Sequence, residues 1–159
     1  MNVNLTQIAS VKKDEKGFYI QLANEFKDGL ISLTGFTNLN ILWWGNLYDT
    51  IEYRKNVVIK KPYKTGPDEV GVFATRSPIR PNPILLTVIY VANVDIKNGR
   101  IYTHYIDAEI DTPVLDIKPY FPCTDISKNT GTPEWCAMLP DSIEGSATFD
   151  WSSFFNFEE

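Results

Sequence analysis

Two stretches of this chain concentrate residue types that bind ligands. The first is Gly71–Pro83, GVFATRSPIRPNP. A strand-like run closes at Thr75, and the eight residues after it hold three prolines and two arginines. Proline fixes its own φ and restricts the residue before it, so this loop is stiff and extended. A stiff loop carrying Arg76 and Arg80 suits an anion or a carboxylate, because little ordering entropy is lost on binding. The same residues describe equally well a Pro-locked corner with two surface arginines. The second stretch is Tyr105–Tyr120, YIDAEIDTPVLDIKPY, where Asp107, Glu109, Asp111 and Asp116 fall within ten residues around a Thr-Pro step. Carboxylates and loop backbone groups together suit a cation such as a sulfonium or an ammonium. They also describe a solvated acidic turn, with Asp116 and Lys118 as a surface pair.

Other chemistries find less support. Cys123 and Cys136 stand thirteen residues apart and His104 is the only histidine, which is not the spacing of a zinc site. Two ordinary thiols are the expectation, with a disulfide as the other reading. The net charge of −5 does not attract nucleic acid globally. A local basic run, Arg54, Lys55, Lys60, Lys61 and Lys64, fits either an RNA footprint or a solvated loop face. No run of eighteen apolar residues exists, and Met1-Asn2-Val3-Asn4 lacks the blocks of a signal peptide. The expectation is a cytoplasmic protein with no membrane partner.

The elements that must hold these segments read as mainly β. The 159 residues suffice for one domain with a core, and 43% apolar with 13% aromatic residues suits a globular fold. Strand patterns cover Phe18–Ala23, Ile41–Trp44, Val57–Lys60, Val70–Thr75, Leu85–Asn93 and Arg100–Ile106. Leu85–Asn93 is apolar on both faces, which predicts a central strand. Asn98-Gly99 predicts a hairpin, since both residues tolerate positive φ. A helical turn or two is expected over Asp28–Phe36 and little elsewhere. Many strands and few helices predict a small β-barrel, closed so that no apolar edge is left open. After Pro122 the chain reads as loop. Its aromatic end, including Trp151, Phe154, Phe155 and Phe157, is expected to pack on the barrel or on a second subunit.

Taken in order, GVFATRSPIRPNP and the later DTPVLDIKPYFPCTD resemble the signature pair of the TsaA-like, or tRNA methyltransferase O, family. Upstream, Gly29–Trp44 resembles the family's Gly-Leu…Leu-x-Gly-Phe-Ser-His-Leu segment; downstream, Asp125 and Pro133-Glu134-Trp135 match a weaker pattern. The resemblance implies a TsaA-like barrel over residues 1–136, a C-terminal extension over 137–159, and a homodimer. It implies binding of S-adenosylmethionine near the dimer interface, and methyl transfer to N6 of a threonylcarbamoyl-adenosine in tRNA. Carried over by motif, Arg76 and Leu86 line the cofactor, and the run Asp107, Ala108, Glu109 and Ile110 offers it mostly backbone groups. Asp111 and Thr112 lie alongside, and Lys118 and Tyr120 support the loop. The acceptor amine must shed a proton, for which Asp111 is the nearby carboxylate. Ile79, Asn46, Leu85–Thr87 and Asp111 depart from the family pattern. The altered glycine positions at Leu85–Thr87 and Asp111, with no counterpart of the family's Pro-Arg-Gln segment in residues 1–28, favour the alternative of a non-catalytic dimeric relative with a degenerate pocket, serving as a binding or regulatory module.

Overall fold

The computed structural model describes residues 3–156. Nine strands form among them: β1 Ala9–Asp14, β2 Gly17–Leu22, β3 Asn38–Trp44, β4 Val58–Lys60, β5 Glu69–Gly71, β6 Ile84–Tyr90, β7 Asn93–Asp95, β8 Arg100–Thr103 and β9 Pro113–Pro119. Helix is limited to α1 (Pro122–Asp125), α2 (Ile143–Ser146) and short 3-10 turns. Two compact units result, Met1–Asp49 with Asn82–Ile126 and Thr50–Pro81 with Ser127–Glu159.

The first unit is built on a seven-stranded antiparallel sheet in the order β6-β3-β9-β1-β2-β8-β7. Alternation along each strand selects its inner row. In β3 that row is Leu39, Ile41 and Trp43, opposite Ile89, Thr87 and Leu85 of β6. Leu39, Ile41, Val11, Ile20, Ile101 and Val114 are wholly buried and form the centre of the core. Each such side chain stabilises the fold by about 1.5–3 kcal/mol relative to exposure. The β1–β2 hairpin turns through Glu15-Lys16, with Gly17 at φ +120°. The predicted Asn98-Gly99 turn joins β7 to β8, with Gly99 at φ +66° and the Lys27 side chain lying close against it.

Four expectations are corrected. The hydrogen-bonded ladder does not close into a barrel; it ends at β6 on one side and β7 on the other. These edges are consecutive stretches of one run of chain. Val91 donates its N–H to the Thr37 carbonyl beside β3, and Ala92 donates to Tyr102 on β8. The run leaves the β3 side at Val91 and takes up β8 at Ala92, so its two stretches are paired with different neighbours and not with each other. Secondly, β6 is an edge strand rather than a central one, and its outer row leaves Ile84, Leu86 and Tyr90 exposed. Thirdly, Val70–Thr75 is not one strand. Pairing stops at Gly71, and a 3-10 turn follows because the Thr75 hydroxyl bonds back to the Val72 carbonyl at 2.8 Å. The helical turn falls over Asn24–Leu30, upstream of the expected position, with Leu30 buried in the core.

A small device ties α1 to the sheet. The Asp125 carboxylate accepts from the Phe121 N–H at 2.7 Å and from the buried Asn40 side chain at 2.9 Å. These bonds, the Phe121 one first, hold the Asp125 carboxyl below its usual range. Because the folded value is lowered, the contribution is present above the unfolded value and lost as pH falls through the folded one. An NMR titration of the Asp125 carboxyl is expected to show a midpoint below that of an exposed aspartate. The Phe121 and Thr124 amides should shift with the same midpoint. Asp125→Asn should abolish that step, and an ordinary midpoint would refute the assignment.

In the second unit β4 pairs with β5, and an aromatic cluster replaces the aliphatic core. Tyr63 stacks on Trp135 at 5.0 Å and on Phe154 at 4.6 Å between centroids. Backbone bonds from Lys64 to Phe154 and from Asn156 to Pro62 fix the C-terminal segment there. Phe157, Met1 and Asn2 lie outside the described residues. Cys123 and Cys136 are free thiols, and burial pushes the Cys136 thiol up.

Candidate functional site

The loop between β8 and β9 is anchored at both ends and exposed between them. Ile106 is buried on one side of the segment and Thr112 on the other. Between them Asp107, Glu109 and Ile110 are exposed and Ala108 is half-buried. Among the described residues, the N–H groups of Asp107, Ala108, Glu109 and Ile110 make no hydrogen bond. Unbonded donors are rare in folded backbone away from water, so this row is open to solvent or to a ligand. The carboxylates of Asp107 and Glu109 give the same segment a negative field. Tyr105 bonds to Asp107 at 3.4 Å; burial first, and then the Asp107 charge, push its hydroxyl above the usual range.

The C-terminal end of the segment is fixed on β1. Val11 donates its N–H to the Thr112 carbonyl at 3.0 Å and accepts from the Asp111 N–H at 2.8 Å. The Thr112 N–H bonds to the Glu109 carbonyl, closing a turn in which Asp111 adopts φ +71°. The Asp111 carboxylate is paired with the Lys12 ammonium. Neither Lys12 nor Val11 was a sequence candidate. The Ala9–Asp14 strand is hard to read because Lys12 and Lys13 interrupt its apolar alternation, yet the Ala9/Val11 spacing of two was the available signal.

The remaining candidates distribute as follows. Leu86 sits on the outer row of β6 and is 42% exposed; its register partner is Leu42 of β3, which in turn faces Asp116 of β9. Lys118 pairs with Asp116 at 2.6 Å, and the Tyr120 N–H bonds to Asn38, so both are tied to the sheet. Arg76 is exposed in the second unit, at the head of a loop stiffened by bonds from Ser77 to Thr75 and from Ile79 to Ser77. Asp107–Ile110 and Leu86 thus share the first unit, and Arg76 belongs to the second. A cavity of about 210 Å³ opens among Lys16, Ala92, Asn93, Asp95 and Tyr102, none of which belongs to either signature segment. Among the described residues no group of three or more His, Cys, Asp or Glu side chains is arranged to hold a metal ion, and no helix is long and apolar enough to cross a membrane.

Residues 6–126, which carry this sheet and both signature segments, match the family model of the tRNA-methyltransferase O N-terminal domain. The chain belongs to that family. A probable S-adenosyl-L-methionine-binding protein of Pyrococcus horikoshii is 39% identical over 109 residues, covering 67% of this chain and 74% of its own. An S-adenosyl-L-methionine-binding protein of Archaeoglobus fulgidus is 34% identical over 106 residues, covering 67% of this chain and 70% of its own. A tRNA (adenine(37)-N6)-methyltransferase of Eikenella corrodens is 36% identical over 88 residues, 55% of this chain but only 49% of that enzyme. Among solved structures, TrmO from Pseudomonas aeruginosa superposes with a TM-score of 0.64 at 22% identity, over 84% of this chain and 62% of that one. At that identity the superposition speaks for the mainly β tRNA-methyltransferase O fold.

Proposed function

We propose that this tRNA-methyltransferase O family chain binds S-adenosylmethionine at the Asp107–Ile110 segment and transfers its methyl group to an adenosine amine of tRNA. The observation that carries the reading is the exposed row of unbonded N–H groups, anchored at both ends and flanked by carboxylates. That donor set fits the cofactor: backbone groups suit the polar edges of an adenosine and an amino-acid moiety, and Asp107 and Glu109 suit a positive centre. Leu86 offers an apolar surface of the kind an adenine ring covers. Arg76, in the second unit, enters through its motif alone; its guanidinium is of the kind that suits a carboxylate. The bound cofactor supplies a methyl group already activated on a sulfonium, so this chain's residues need only place donor and acceptor and shape the field around them. Ile84, Leu86 and Tyr90 along one row of β6 suit a two-fold interface between copies of the chain.

One observation favours a second reading, a binding module without transfer. The archaeal relatives at 39% and 34% identity carry names that state cofactor binding and no reaction. Incubation with methyl-labelled S-adenosylmethionine and tRNA separates the two. Label in an adenosine of the RNA supports the enzyme. Tight binding with no label in any tRNA pool supports the module. Sedimentation of the same sample at tens of micromolar tests the dimer, and a monomer that still transfers label would remove the two-fold interface from the reading.

A further inference from the structure

We propose that Lys12 and Asp111 form an electrostatic latch that holds the Asp107–Ile110 segment in its binding shape, with Asp111 as a positioning residue. The inference rests on the reading of that segment as the cofactor site. Its physical basis lies in how β1 meets the loop. Ala9 pairs with Val114 and Ser10 with Pro113, one residue against one. At the next step a single residue, Val11, serves two: its N–H bonds to Thr112 and its carbonyl to Asp111. Two residues against one is a bulge, a device that ends pairing and re-aims the chain beside functional sites. Here it turns the backbone from β9 into the exposed segment.

In the G1 form of such a bulge the first residue adopts the left-handed conformation and is ordinarily glycine. Asp111 holds it at φ +71°, and it is also the third residue of the Glu109–Thr112 turn, which requires positive φ. Asp111 therefore occupies a position at which glycine would be relaxed. What aspartate adds is a carboxylate, and Lys12, the β1 residue adjacent to Val11, pairs with it. The side chains of Lys12 and Asp111 are 38% and 70% exposed, so the pair sits in water and salt screens it. A latch of this kind makes the shape of the segment, and its affinity for ligand, dependent on ionic strength.

The test is calorimetric titration with S-adenosylmethionine at roughly 20 and roughly 500 mM salt. It is paired with amide exchange at Val11, Asp111 and Thr112 in the ligand-free protein. The natural protein should lose affinity about 2–5-fold at high salt, and Lys12→Met should lose as much at low salt and respond less to salt. Asp111→Gly should match the natural protein at high salt, since glycine supplies the conformation, and should likewise lose the salt response. Asp111→Ala should be weakest, about tenfold down, lacking both the pair and the relaxed backbone. Exchange should quicken in Lys12→Met and Asp111→Ala. Unchanged affinity, salt response and exchange in Lys12→Met would overturn the latch. So would a loss well beyond tenfold in Asp111→Gly with exchange unaltered, because the carboxylate would then be touching the ligand itself. If the natural protein binds no cofactor, the site reading fails, and exchange alone decides the latch: faster in Lys12→Met supports it, unchanged overturns it.

Discussion

Arg76→Ala is expected to weaken S-adenosylmethionine binding by about 1.5–3 kcal/mol, the worth of a hydrogen bond to a charged group. The unmodified protein should bind with a dissociation constant near micromolar, about −8 kcal/mol. The size of the effect follows from what is removed. A guanidinium that met a carboxylate would do so through charge-assisted bonds, and an Arg76 contact of that kind would be lost with the side chain. The loop that presents Arg76 is already ordered by three prolines and by side-chain bonds at Thr75 and Ser77, so little of the gain is spent on ordering. Lys128→Ala, at an exposed position outside both signature segments, is the control for a general change of charge and should bind as the natural protein does. Binding that survives Arg76→Ala unchanged would remove this residue from the site while leaving the family assignment intact. No binding at millimolar cofactor, with the fold preserved, would favour a relative that has lost the pocket.

The largest effect on stability is expected from truncating the centre of the sheet. Ile41 is wholly buried, and β3 is the strand through which β6 and β9 are joined: Ile41 faces Thr87 on one side and Ile117 on the other. Ile41→Ala removes buried methyl groups and leaves a cavity between strands that cannot both close on it. The cost should be about 2–5 kcal/mol. Urea unfolding would read it as a lower midpoint with an unchanged slope. Val58→Ala, on an exposed position of β4, should change stability by less than about 0.5 kcal/mol. Equal effects at the two positions would mean that the β3 row is not the core centre.

Local signals were legible where they were strong. The Asn98-Gly99 turn, β2, β4 and the β8 run follow from alternation and turn chemistry, and the structure bears out each within a few residues. β1 and β9 were missed for identifiable reasons. Lys12 and Lys13 mask the alternation of β1, and prolines at 113 and 119 bracket β9. Proline is tolerated there because it stands at the ends of the strand, outside its interior. The central position expected for β6 failed because apolar residues on both faces do not say what covers them. On β6 the outer row is exposed.

By itself the sequence determined the family and the mainly β class, and it marked out the two segments from which the site is proposed. These depend on residue order and local stereochemistry, which a linear reading retains. Tertiary structure alone decided that the ladder stays open at two stretches of one run, because strand pairing is a relation between distant residues. It alone decided that Val11 and Lys12, about a hundred positions from Asp111, form the bulge and ion pair that end the candidate segment. No spacing rule reaches that far. The left-handed backbone of Asp111 and the unbonded N–H row of Asp107–Ile110 likewise follow from how β1 grips the loop, because composition assigns neither a φ angle nor a missing hydrogen bond.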